Sequence, residues 1–404
     1  MVDVAKVRMF GQNIGTFVWD DSYRVARFEY DNDFVGKGIE PSPIMMPVQQ
    51  GRIYSFGSLN WDTFNGLPGM LADSLPDTYG RALFDQWLTL TGRTTSNPVE
   101  SLCFLGQRCM GAPEFEPSTG PSSDANMKFE IDTLIDVARE ALSKKKDFGV
   151  NLDVDRKTAI AEILRLGTGQ TSAPEGFDYY LIKLDGVTAE AGFKETENFG
   201  RLEYSFSELV KNCGIDMTEC SLIEENGRAH FLTKRFDREN GRKIHMQTLC
   251  GMAHYDFRLK NGHSYEQAFN VMRRLRLPYS QAQEMFRRIV FNVVVRNQDD
   301  HTKNISFLMD SSGQWSLSPA YDMGFAYNPL GAWTATHQMS INGKFDNITR
   351  ADLLSLANAN NIKNAPEIID QVCETTAGWP ELAKNCGVPQ KMIDGIVPHM
   401  LLSL

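Results

Sequence analysis

The stretch from Tyr279 to Asn304 constrains this chain more than any other. Residues 279–295 are nearly apolar around the whole circumference of the helix that their spacing predicts, so that helix has to be buried. Directly behind it comes the densest polar cluster in the sequence, Arg-Asn-Gln-Asp-Asp-His-Thr-Lys-Asn, residues 296–304. Ionisable groups at the end of a buried helix cost desolvation energy unless something pairs them. Any fold built on this segment must bury the helix and find partners for the cluster. With 404 residues the chain is long enough for two or three domains to share that work.

Composition removes several classes. A chain that is 42% hydrophobic and 23% charged is neither largely disordered nor fibrous. No uncharged apolar run approaches the roughly 18 residues of a membrane span, and no membrane association is expected. The opening residues lack the apolar core of a secretory leader, which points to the cytoplasm. Seven cysteines (Cys103, Cys109, Cys213, Cys220, Cys250, Cys373, Cys386) are scattered with no C-x-x-C pair. They read as buried thiols in a reducing compartment, not as disulfides or a zinc site. The net charge of −10 argues against strong direct nucleic-acid binding.

The first hundred residues read as mostly β. Short apolar stretches at 7–10, 15–18, 25–30 and 52–56 are separated by Gly, Asp and Asn turns. A helix is expected from about Thr78, and residues 111–126, rich in Pro, Gly and Ser, read as a linker. Helical patterns follow at 129–144 and 156–166, then a strand at 179–184 and an amphipathic helix at 202–213. Strands at 220–224 and 229–236 flank Glu-Asn-Gly-Arg, a hairpin signal. From Met246 the pattern turns helical, interrupted by short strands at 304–309 and 314–318, and from about Thr349 it is helical again. A mixed lobe ending near residue 236 and a helical lobe beyond it outline a bilobal nucleotide-binding enzyme.

The polar cluster carries the chemistry. Asp299, Asn304 five residues on, a hairpin and then Asp322 supply what phosphoryl transfer needs. The first carboxylate orients or deprotonates a hydroxyl acceptor; the Asn oxygen and the later Asp hold Mg²⁺ ions that bridge the ATP phosphates. The competing reading is a polar turn whose Asp and Asn merely cap neighbouring elements. Lys183, set among apolar neighbours on a predicted strand, calls for a phosphate or carboxylate partner unless it is an edge-strand lysine with an exposed head, and Glu203 on the following helix is the candidate carboxylate. His301 reads as a packed residue bracing the loop, since no second His or Cys lies at ligand spacing.

Several segments, in order, resemble the HipA-like serine/threonine protein kinases, which supply the toxins of bacterial toxin–antitoxin modules. They are LPGMLADSLPDTYGR (67–81), LGQRCMGAPEFEP (105–117), YLIKLDG (180–186), LTKRFDR (232–238), NQDDHTKNISF (297–307) and SPAYDMG (318–324). The resemblance implies an α+β fold with a bilobal protein-kinase-like core. An N-terminal β-rich subdomain (1–115) and a linker with a connecting helix (116–150) would precede a kinase-like N-lobe (151–236) and a helical C-lobe (237–404). It implies that Asp299 is the catalytic aspartate, that Asn304 and Asp322 hold Mg²⁺, and that Lys183 contacts ATP phosphates. Lys234–Phe236 would form the hinge that offers backbone groups to adenine, with Asp237 just beyond it. A protein substrate, such as a translation factor or aminoacyl-tRNA synthetase, and a DNA-binding antitoxin partner are implied in the same way.

The sequence departs from the family pattern where a Gly-rich, Ser-containing phosphate loop is expected before the lysine strand. Too few residues separate Gly169 from Lys183 for that loop plus a full hairpin, and Thr168, Thr171 and Ser172 are the nearest hydroxyl residues. A small-molecule kinase, or a regulator that binds nucleotide or antitoxin without catalysis, stays open at this stage.

Overall fold

The computed structural model describes residues 2–76, 95–120, 178–185 and 198–404, with scattered positions between 81 and 93. The segments expected to be helical at 129–144 and 156–166, and the Thr168–Ser172 stretch, lie outside the described residues. So does most of the helix expected from Thr78.

At the N-terminus, β1 (Val4–Met9), β2 (Gln12–Asp20), β3 (Val25–Tyr30), β4 (Ile53–Tyr54) and β5 (Glu114–Glu116) form one antiparallel sheet in the order β4-β3-β2-β1-β5. Strand periodicity of two places Ala5, Val7 and Met9 on the covered face of β1. Phe17, Phe28, Tyr30 and Phe115 join them in the subdomain's core. The fourth expected strand shrinks to two residues.

Residues 111–117 are not a linker. Phe115 packs edge-on against Phe17 at 5.9 Å, and residues 114–116 pair with β1. The Gly and Pro content that suggested a free connection instead lets the backbone at Gly111 approach the rest of the molecule closely: its N–H donates to Asp237 at 2.7 Å.

A second small sheet, order β6-β8-β7, comprises β6 (Tyr180–Lys183), β7 (Cys220–Glu225) and β8 (Arg228–Lys234), with helix α1 (Phe199–Asn212) packed on it. The β7–β8 turn puts Asn226 at φ 50° and Gly227 at φ 78°, both in the left-handed region that a two-residue hairpin requires.

The remainder is built around a large apolar core. It contains α2 (Leu249–Ala253), α3 (Tyr265–Arg274), α4 (Tyr279–Val295), α5 (Arg350–Ala359) and α6 (Ala365–Ala377). Beneath them, β9 (His245–Thr248), β10 (Ser306–Met309) and β11 (Trp315–Leu317) form a third sheet. The apolar residues of the Ile289–Val295 segment are fully buried, as their unbroken pattern requires. Phe206 of α1 stacks on Trp379 at 4.7 Å and ties the small sheet to the C-terminal helices.

The helical pattern expected from Met246 starts three residues later. His245–Thr248 is a strand paired with Ser306–Met309, and its inward polar side chains each find a hydrogen-bond partner on the N-terminal subdomain. His245 Nε2 lies 2.9 Å from the Pro41 carbonyl, and Gln247 Nε2 donates to Ser42 Oγ at 3.3 Å. Thr248 then caps α2 by accepting from Gly251 N at 3.0 Å.

Candidate active site

α4 ends at Arg296 in the left-handed conformation (φ 54°), which turns the chain sharply out of the core. Asn297 then fastens the turn. Its N–H donates to Asn292 O at 2.8 Å, and its amide donates to Asn292 Oδ1 at 2.9 Å and to the Asp322 carbonyl at 3.3 Å. The carbonyl of Asp299 accepts from His301 N and from Asn304 Nδ2, both at 2.9 Å. That second bond occupies the Asn304 amide nitrogen, so Oδ1 is the atom that could face a cation. The Asp299 side chain stays 52% exposed, open to an incoming group.

Asp322 reaches the same region from the chain beyond β11. It has φ 51°, a conformation that costs non-glycine residues energy and clusters at functional sites. Lys183 Nζ sits between its carboxylate, with which it forms a very close ion pair, and both oxygens of Glu203 at 3.2 and 3.1 Å. Desolvation works to lower the Lys183 pKa, but Asp322 and then Glu203 hold the ammonium protonated well above its usual range. Lys183 in turn holds Asp322 below the ordinary carboxylate range against the cost of burial. Desolvation pushes Glu203 up, with Lys183 offsetting part of the rise. Lysine and Asp322 are thus both charged at neutral pH.

Lys234 and Phe236, expected in the hinge, and Asp237, expected just beyond it, have different surroundings. Lys234 ends β8, and its ammonium pairs with Asp178 at 2.6 Å. Phe236 turns its ring toward Tyr321, next to Asp322, with centroids 5.7 Å apart. Asp237 is a correction: its carboxylate is fully buried and cannot reach a nucleotide. It accepts from Arg235 Nε at 2.8 Å and Nη2 at 2.6 Å, from Arg238 Nη1 at 2.7 Å, and from Gly111 N. A buried carboxylate so close to two arginines is spent on them.

Two oxygen donors, Asn304 Oδ1 and the Asp322 carboxylate, suit a hard divalent cation. Among the described residues no group of three or more His, Cys, Asp or Glu side chains converges on a metal position. So sparse a set fits Mg²⁺, which is usually held by one or two carboxylates with substrate phosphates and water completing its shell.

Sequence reasoning missed the polar groups that brace the loop from behind. Asp300 is buried and accepts from Tyr265 Oη at 2.7 Å and from Gln338 N at 2.7 Å, and its Oδ2 meets His337 Nδ1 at 2.8 Å. Tyr265 Oη accepts from Asn292 at 3.0 Å, which links this chain of bonds to Asn297. The signal was present: Asn292 interrupts the apolar run of α4, and a polar side chain there needs a buried partner.

The arrangement of these segments has counterparts in known proteins. The family model of the HipA N-terminal domain matches residues 5–116, and that of the HipA-like C-terminal domain matches residues 153–379. A Haemophilus influenzae protein named "Putative kinase" is 29% identical over 136 residues, covering 30% of this chain and 39% of that protein. A Sinorhizobium fredii protein named "Putative kinase Y4dM" is 27% identical over 218 residues, covering 49% of this chain and 52% of its own. The chain thus spans about half or less of these relatives. In fold it is similar to HipA in the solved complex of the Shewanella oneidensis toxin–antitoxin system HipA, HipB and operator DNA. That likeness has a TM-score of 0.67, covers 98% of this chain and 94% of the other, and comes with 16% identity. With one family model matched over the N-terminal sheet and the other over more than half of the chain, Lys183, Asp299 and Asp322 included, the chain belongs to the HipA-like family.

Proposed function

We propose that this chain is an ATP- and Mg²⁺-dependent serine/threonine protein kinase that acts as the toxin of a toxin–antitoxin pair. The observation that carries the reading is Lys183 held between Glu203 and Asp322, close to a loop that presents Asp299 and Asn304. Lysine, glutamate, aspartate, asparagine and a second aspartate are the parts of a kinase-type phosphoryl-transfer site. Mg²⁺, bound with ATP, neutralises charge on the phosphates. Lys183 offers a fixed positive charge to phosphate oxygens, with Glu203 holding its ammonium in place. Asp299 orients the acceptor hydroxyl and takes its proton. Asn297 keeps the Asp322 backbone in register with the loop. Positioning and electrostatics supply the rate, since little covalent chemistry falls to the protein.

The Shewanella relative occurs with HipB and operator DNA. We assign this chain a DNA-binding antitoxin as partner by analogy, and the net charge of −10 leaves DNA contact mainly to that partner. Its substrate is a protein hydroxyl, with translation factors and aminoacyl-tRNA synthetases as first candidates. The test is radiolabelled ATP with purified protein and a host lysate: labelled protein bands with wild type and none with Asp299→Ala. Label appearing only in small molecules turns the reading to a metabolite kinase, and no transfer at all turns it to a nucleotide-binding regulator.

Two variants test the assignments separately. ATP with Mg²⁺ at a hundred times its Kd should stabilise the wild type by about 2.7 kcal/mol, because it binds only the folded state. Asp322→Ala should lose the metal-dependent part, and equal melting shifts with and without Mg²⁺ in the wild type would remove Asp322 from metal binding. Lys183→Ala should fold, since β6 remains paired with β8, yet use ATP poorly. Wild-type phosphotransfer in that variant would make Lys183 an ordinary edge-strand lysine.

A further inference from the structure

Among the described residues, a short wedge, residues 248–257, lies between the N-terminal subdomain and the 299–304 loop. On one side, Asp73 directs its carboxylate at Thr248: Thr248 N donates to Oδ2 at 2.8 Å and Thr248 Oγ1 to Oδ1 at 2.7 Å. Gly69 N donates to His254 Nε2 at 3.0 Å, and Asn60 donates to Asp256 at 2.7 Å. The fit admits no side chain at Gly251, where a Cβ would lie 2.1 Å from Asp73 Oδ2. On the other side the wedge holds the loop itself. Thr302 Oγ1 donates to Tyr255 O at 2.7 Å, Leu249 N donates to Ile305 O at 2.7 Å, and Phe257 lies 5.3 Å from the His301 ring.

Lys303 closes the circuit. Its ammonium lies 4.9 Å over the Phe257 ring and is the positive charge acting on Asp73. Its carbonyl accepts from Tyr321 Oη at 2.6 Å. Asn304 follows Lys303 in the chain, and Asp322 follows Tyr321. The wedge that Asp73 fastens therefore packs on Lys303, whose carbonyl holds Tyr321, so it bears on the two residues that directly precede the candidate metal ligands.

We propose that Asp73 is a positioning residue: acting through Thr248 and Lys303, it makes the N-terminal subdomain set the placement of Asn304 and Asp322. The proposal rests on the reading above that these two hold Mg²⁺ with ATP. Desolvation pushes Asp73 up to about 6 despite the opposing pull of Lys303 and Thr248. Cys250 and Tyr321 are the other titratable groups that face it. Its charge is a local cost to folding, and Lys303 is the group that answers it.

The experiment titrates Mg²⁺ at fixed ATP and reads the melting temperature of the full chain as wild type, Asp73→Asn, Lys303→Met and the double variant. Asparagine nearly matches aspartate in shape and can still accept from Thr248 N, but it offers Lys303 no charge. Asp73→Asn should raise the Mg²⁺ concentration for half-maximal stabilisation about 10–100-fold, the usual effect of losing a group that orients a metal ligand. The shift given by ATP without metal should stay unchanged. Lys303→Met should do the same, and the double variant should be no worse than the worse single one, since coupled residues are non-additive. Wild-type Mg²⁺ dependence in both single variants overturns the inference, as do effects that multiply in the double variant. A wild type with no Mg²⁺-dependent stabilisation overturns the metal reading itself, and the inference falls with it.

Discussion

Asp299→Asn is expected to cut the phosphotransfer rate by about 10²–10⁴, or roughly 3–5 kcal/mol of transition-state stabilisation, with ATP affinity and melting temperature close to wild type. The fold should hold because the backbone of residue 299 ties the loop whatever its side chain carries: its carbonyl accepts from His301 N and Asn304 Nδ2. The side chain is half exposed, so exchanging one oxygen for an amide disturbs no packing. An amide cannot accept the acceptor's proton, and its oxygen orients a hydroxyl less strongly than a carboxylate. ATP affinity should survive because Lys183, Asn304 and Asp322 are untouched. Calorimetric ATP affinity and the initial transfer rate, measured on one preparation, decide the matter. An unchanged rate removes Asp299 from the mechanism, and joint loss of affinity and rate makes it a metal ligand instead.

The parts of this site that were legible in the sequence are those with a local pattern. The apolar run of α4 could only be buried, and the polar cluster behind it could only sit at the end of that helix. The Asn226-Gly227 turn announced its hairpin through a backbone conformation few residues adopt. Lys183 and Glu203 were paired from a charge placed where none should stand alone, and they meet at hydrogen-bonding distance. What escaped was non-local. Residues 114–116 become a strand only because β1, more than a hundred positions earlier, presents an open edge. His245–Thr248 has no apolar alternation, and its inward polar side chains bond to Pro41 and Ser42, two hundred residues away. Asp300 and Asp299 are neighbours of one type, yet one is buried among Tyr265, His337 and Gln338 and the other faces solvent. Only the fold decides which of two adjacent aspartates is left exposed at the candidate site and which holds the loop.

Asp237→Ala should destabilise the protein by about 3–5 kcal/mol, the usual result of removing one partner from a buried ion pair. Arg235 and Arg238 have side chains only 1% and 2% exposed, so neither guanidinium can recover its hydration when the carboxylate goes. The loss also reaches across the molecule. Arg238 donates to the carbonyls of Gly111 at 3.1 Å and Cys109 at 2.9 Å, and Asp237 itself receives Gly111 N, so this cluster pins the end of the N-terminal subdomain to the chain beyond β8. Burial opposes ionisation of Asp237, but the hydrogen bonds and charge of Arg235, then of Arg238, hold its pKa below the usual carboxylate range. The sign follows: a depressed native pKa gives stability that is present above the unfolded value near 3.8 and is lost as pH falls through the native one. Wild type should therefore lose this contribution in strong acid, while Asp237→Ala lacks it at every pH, and the two stability curves should converge below pH 3.8. At neutral pH a drop in melting temperature of order 10 °C is expected. The folded fraction of the variant should keep wild-type ATP affinity, because the carboxylate faces two arginines and not the cleft. A variant of normal stability with weakened ATP binding would return Asp237 to the nucleotide site.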